Sequence, residues 1–278
     1  AVGHEHALIF ESPLDRRIMF VLPWGDLTMI GTTDRDYEGD PADVAPTARD
    51  VAYLLGSANR LFPDAGLTPD DVLSAWAGLR PLVAEADEPG EEAGDVSRDF
   101  VVTEGPPGML TIAGGKLTSY RHMAEELVDR AADFLERAFD AAPERGCDTD
   151  EVPLPGGDFS ELEALCARLR DRAEPLELSS ASVDRLARAH GSRALDVLAL
   201  VEERPELGER VVEDRPYLAA EVVRAARDEM ALHVEDVLFR RTHLGRETRA
   251  GFEEGCRRVA RLMGEELGWD EERRQAEV

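Results

Sequence analysis

Lys116 directly follows Gly114 and Gly115 in the stretch TIAGGKLTSYR, and it is the one lysine among the chain's 32 basic residues. Paired glycines let another group come close to the backbone. The start of a helix leaves N–H groups without carbonyl partners. Together these features suit an anionic or electron-rich partner, to which an ammonium adds a point charge on a flexible stem. A phosphate or a flat cofactor ring fits this pattern, and so does a tight turn with a solvent-facing lysine. A lysine retained where arginine is used everywhere else points to a need that a guanidinium does not meet.

Two further places carry chemistry. Arg80 stands in the apolar stretch GLRPL. Its planar fork matches a phosphate or carboxylate, and an ion pair with one of the many acids is the alternative. GTTD, residues 31–34, puts two hydroxyls and a carboxylate at a strand end, where they serve as a turn cap or as a ligand contact. Glu229, His233 and Asp236 fall at i, i+4 and i+7, a spacing that suits a metal but is commoner in salt-bridged helix faces. No metal is assigned. His122 reads as a surface residue, and Trp24 and Trp76 as packed aromatics.

The elements that position these residues follow from periodicity. ALIFES, RIMFVLPW and LTMIGTTD read as antiparallel strands joined by the turns SPLDR and GD. Residues 47–62 change to helical spacing, with Thr47 as cap. LTPDDV suggests a short helical turn and LSAWAGLRPLV a strand or extended segment. Residues 85–95 are acidic and turn-rich, which predicts a solvated loop. RDFVVTE and GMLTIAGG form a hairpin across GPP, and a helix follows from about Leu117 to Ala141. The proline- and glycine-rich stretch 143–158 predicts a domain boundary. Beyond it every segment reads as helical: 159–173, 180–190, 192–203, 217–241, 249–267 and 270–276.

Composition narrows the function. The 278 residues carry 59 acids against 32 bases, a net charge of −27. That field repels nucleic acid and anionic membranes, so no nucleic-acid partner is expected. An anionic substrate needs a local basic site to overcome it. A surface of Asp, Glu and Arg with almost no Lys reads as halophilic, because high salt screens its self-repulsion. No apolar run is long enough for a membrane-spanning helix, and no secretory signal is visible at the start. Cys147, Cys166 and Cys256 are too widely spaced for a metal pattern or a disulfide framework, which favours a reducing, cytoplasmic setting.

RIMFVLPWGDLTMIGTTDRDYEGDP, SAWAGLRPLV, SRDFVV and TIAGGKLTSYRHMAEELVD resemble the FAD-dependent glycerol-3-phosphate dehydrogenases. The resemblance continues through YLAAEVVRAARDEMALHVEDVLFRRTHL and RVARLMGEELGWDEER, covering nearly the whole chain in order. That family opens with a βαβ unit carrying the glycine-rich fingerprint for FAD, and the chain contains no G-x-G-x-x-G. The expectation is therefore a C-terminal portion, inactive by itself. The implied fold is α+β. A mostly antiparallel cap, or substrate-domain, sheet occupies residues 1–108. A strand and helix at 109–142 return to the FAD-binding domain, of which they are a remnant. An all-helical domain occupies 143–278.

The resemblance also implies roles. Enzymes of this family oxidise glycerol 3-phosphate to dihydroxyacetone phosphate with FAD as electron acceptor and pass electrons to quinone, some from the cytoplasmic face of the inner membrane. Arg80, and Arg98 in SRD, would hold the substrate phosphate. Lys116 would stabilise developing negative charge beside flavin and substrate. Gly114, Gly115, Leu117 and Thr118 would line the flavin. A homo-oligomer is compatible with this picture. The alternative is a helical interaction or regulatory module attached to a degenerate flavoenzyme cap, against which the intact GLRPL and GGKLTSYR stretches count.

Overall fold

The computed structural model describes residues 5–80, 99–249 and 251–278, which divide into two compact units. One comprises residues up to Asp71 together with Ala75–Val152; the other comprises Val72–Ser74 and Pro153–Val278.

In the first unit, β1 (Leu8–Glu11), β2 (Ile18–Trp24) and β3 (Leu27–Gly31) form an antiparallel sheet in that order. Trp24 pairs with Leu27 across the two-residue turn Gly25-Asp26. Gly25 has φ +60°, the left-handed conformation that a tight hairpin requires at its first loop position. The period-two alternation of β2 buries Met19 and Val21 while Ile18 faces out. Helix α1 (Ala48–Leu61) packs on β3. Its start is a reciprocal capping box: the Asp50 N–H donates to the Thr47 hydroxyl, and the Thr47 N–H donates to the Asp50 carboxylate. Where α1 meets the sheet, Ser12 and Ser57 are both buried and satisfy each other at 2.9 Å.

A second antiparallel ribbon joins β4 (Phe100–Glu104) to β5 (Leu110–Gly114). A single 3-10 turn, Leu117–Ser119, then leads into α2 (Tyr120–Phe139). The helix predicted from Leu117 thus opens as a tighter turn. Among the described residues β1–β3 and the β4–β5 ribbon are separate antiparallel sheets. Of LSAWAGLRPLV, residues 73–83, read above as a strand or extended segment, residues 73–80 form no strand and 81–83 lie outside the described residues. Trp76, expected to pack, is half exposed.

The second unit is helical: α3 (Leu162–Ala173), α4 (Ser180–His190), α5 (Ala194–Glu203), α6 (Ala219–Asp228), α7 (Leu244–Glu247), α8 (Phe252–Leu267) and α9 (Glu271–Glu277). Leu165, Leu169, Leu186, Val197, Leu198, Val223, Val259 and Met263 form its close-packed core. The single helix expected over 217–241 is broken. It stops at Asp228, Met230 takes φ +54°, and the chain resumes as a π-helical turn, Asp236–Arg241. Side chains hold the break. Arg241 donates to the Glu229 carbonyl, and the Asp236 carboxylate accepts the N–H groups of Leu232 and His233. The break is hidden in the sequence because apolar residues continue past it: Ala231, Val234, Val237 and Leu238 stay buried.

Candidate functional site

The β5-to-α2 junction follows from its glycines. Gly114 and Gly115 have φ +79° and +82°, which turn the chain out of the ribbon where L side chains are disfavoured. A Cβ on Gly115 would sit 2.5 Å from the Met123 sulfur and 3.1 Å from the Phe100 Cβ. This glycine is therefore also required by packing against α2 and β4. Lys116 caps the 3-10 turn with an extended backbone, and its carbonyl accepts both the N–H and the hydroxyl of Ser119 at 2.9 Å. The first N–H groups of the turn have no intrahelical partner. Lys116, Leu117 and Thr118 are exposed, Leu117 to 88%. Among the described residues Lys116 has no carboxylate partner, although this chain pairs most of its arginines.

These features fit a flavin edge in two respects. A glycine-flanked turn with free backbone donors is open to a flat, electron-rich ring, and an unpaired ammonium beside it complements negative charge.

Arg80 meets the GTTD stretch. Its Nη1 lies 2.9 Å from the Asp34 carboxylate, and both side chains are partly exposed. Asp34 is held in turn, its carbonyl accepting Arg17 Nη1 at 2.7 Å. Arg17 pairs with Asp15, whose carboxylate accepts the Tyr53 hydroxyl at 2.7 Å. That bond holds the Asp15 carboxyl below its usual range. Of the two sequence readings of Arg80, the structure shows the ion pair, with an exposed acid. No hydrogen bond or ion pair joins Arg80 to the Lys116 turn among the described residues. Arg98 lies outside the described residues.

The remaining candidates are engaged otherwise. His233 pairs with Glu277, Asp236 with Arg240, and Glu229 with Arg224. Exposed His122 stands edge-on to Phe100.

Sequence reasoning missed a polar cluster inside the helical unit. Glu221, 2% exposed, accepts the Leu218 N–H and pairs with Arg185 and His190. Arg224 Nη1 lies 3.0 Å from His190 Nδ1 and 2.6 Å from Glu229. A guanidinium only donates, so His190 Nδ1 accepts and Nε2–H donates to Glu221. Burial first, then the two arginines, push the His190 pKa down to about 4. The cluster borders an open cleft of about 800 Å³ lined by Phe159, Arg188, His190 and Arg224. The signal was Glu221 itself, a charge within the apolar run LAAEVV.

Comparison with known proteins assigns the class first. Residues 2–121 match the family described as FAD dependent oxidoreductase, and residues 147–274 match the C-terminal domain of alpha-glycerophosphate oxidase. Curated relatives include a glycerol-3-phosphate dehydrogenase of Pseudomonas aeruginosa, 38% identical over 87% of this chain and 45% of that protein. The mitochondrial glycerol-3-phosphate dehydrogenase of Mus musculus is 36% identical over 95% of this chain and 35% of its own length. A crystal structure of the glycerol-3-phosphate dehydrogenase from Bacillus halodurans with FAD aligns at a TM-score of 0.78 and 32% identity, covering 97% of this chain and 51% of that one. The chain belongs to the FAD-dependent glycerol-3-phosphate dehydrogenase family. It spans about half the length of its bacterial relatives.

Proposed function

We propose that these residues form the substrate-side and helical portion of a flavoenzyme that oxidises glycerol 3-phosphate to dihydroxyacetone phosphate. The observation that carries this reading is the turn at residues 114–118. The chain's one lysine sits there exposed, without a carboxylate partner among the described residues, beside two left-handed glycines. FAD, when bound, supplies the hydride acceptor for the substrate C2, with quinone as the onward acceptor.

The chain's own residues supply position and charge. Gly114 and Gly115 would let the ring approach, and the backbone N–H groups of Leu117 and Thr118, with the Thr118 hydroxyl, would be available to hold its polar edge. Lys116 would stabilise the negative charge that builds on the flavin as it accepts the hydride, or on the substrate oxygen as its proton is removed. Arg80 and Arg98 bind the phosphate, overcoming a net charge of −27 that otherwise repels a dianion. The site completes itself only with the FAD-binding portion that relatives possess, so these residues alone are inactive. Among the described residues no helix is long and apolar enough to cross a membrane. The resemblance supports delivery of electrons to quinone at the cytoplasmic face of the inner membrane.

The test is product formation by the complete product of the gene that encodes these residues, assayed with an artificial electron acceptor. Dihydroxyacetone phosphate should form from glycerol 3-phosphate, and glycerol, which lacks the phosphate, should be a poor substrate. Equal turnover of both would remove the role given to the arginines.

A further inference from the structure

Arg80 lies in a segment that no helix or strand holds: residues 75–80 have no regular structure. A long side chain on such a backbone has many rotamers, and a bidentate phosphate contact requires one of them. Something other than secondary structure must select it. The Asp34 carboxylate is at the right place, 2.9 Å from Arg80 Nη1. Asp34 is itself tied to the sheet-and-helix framework, through Arg17 to Asp15 and through Asp15 to Tyr53 on α1.

Two magnitudes bear on the purpose of this pair. With side chains 44% and 38% exposed, it contributes little to fold stability. Its charge opposes binding of a dianion, so simple electrostatics argue against having an acid there. What the pair does supply is orientation. One terminal nitrogen is occupied, leaving the rest of the guanidinium fork for an incoming anion.

We propose that Asp34 is a positioning residue for substrate: it anchors Arg80 so that the open side of the guanidinium receives the phosphate, with Arg17 fixing Asp34. The inference rests on the reading of Arg80 as the phosphate contact. The experiment is steady-state kinetics with glycerol 3-phosphate on the complete gene product, comparing Asp34→Ala, Asp34→Asn and Arg80→Ala. Asp34→Ala should raise KM about tenfold, since a small misplacement of a binding group is costly, with kcat changed less than about twofold and Tm unaltered. Asp34→Asn keeps the acceptor and should recover most of the loss. Adding Asp34→Ala to Arg80→Ala should change nothing further. An unchanged or lowered KM in Asp34→Ala, with Arg80→Ala still impaired, overturns the positioning role alone. An unchanged KM in Arg80→Ala overturns the phosphate assignment and the inference with it.

Discussion

At the scale of single residues, Lys116 carries the sharpest expectation. Lys116→Met removes the ammonium and keeps a stem of similar length, and the side chain is exposed, so stability should hardly move. Removing a preorganised charge from a reacting centre typically costs about a hundredfold in kcat, and turnover with glycerol 3-phosphate is the measurement. Turnover within about twofold of the parent, with the fold intact, would return the lysine to an ordinary turn. The uniqueness of Lys116 was visible in the sequence because composition is a one-dimensional property. The partner of Arg80 was not. Asp34 lies 46 positions earlier in the chain, among 59 acids, and only the tertiary fold selects it.

At the scale of elements, local signals were legible and the breaks were not. Thr47 announced the start of α1, and Gly25-Asp26 announced the β2–β3 turn. The interruption after α6 has no proline or glycine to mark it. It depends on Arg241 reaching the Glu229 carbonyl, a contact between side chain and backbone that spacing cannot reveal. The α4–α6 packing likewise hides its polar cluster. There His190 joins the end of α4 to Glu221 and Arg224 of α6.

That arrangement makes helical-unit stability depend on pH. Unfolded, His190 takes its proton near pH 6.5; folded, it does so only near pH 4. Between these values the unfolded chain binds the extra proton, so stability falls as pH falls through that window and is fully present above it. A drop from pH 7 to pH 5 should cost about 2 kcal/mol through this group. His190→Gln keeps a donor for Glu221 without titrating. Denaturant titrations at the two pH values should show a stability difference that is smaller in the variant by about that amount, His243, which burial also holds below its usual range, keeping its own share. An equal pH dependence in both would mean that His190 is not held neutral.

At the scale of the whole molecule, the apolar core is unevenly distributed. The main cluster belongs to the helical unit, and among the described residues of the other unit only Met19, Val21 and Ala58 are buried hydrophobics. Helix α2 buries no residue, and Leu117, Tyr120, Val128 and Phe139 on and beside it are exposed. Tyr120, Met123, Leu127, Ala131, Phe134 and Leu135 recur at helical spacing along α2 without a buried face to match them. The bacterial relatives are about twice as long as this chain. The acidic surface belongs to this scale too. Its net charge of −27 is best supported in concentrated salt, where screening limits self-repulsion.

The central claim is that these residues serve a flavin that glycerol 3-phosphate reduces. The direct measurement is an anaerobic titration of the complete gene product, purified in concentrated salt, followed by its visible spectrum. The protein should retain a yellow flavin whose absorbance bleaches on addition of glycerol 3-phosphate and persists with glycerol. Protein that carries no flavin, or flavin that keeps its colour in the presence of glycerol 3-phosphate, would contradict it.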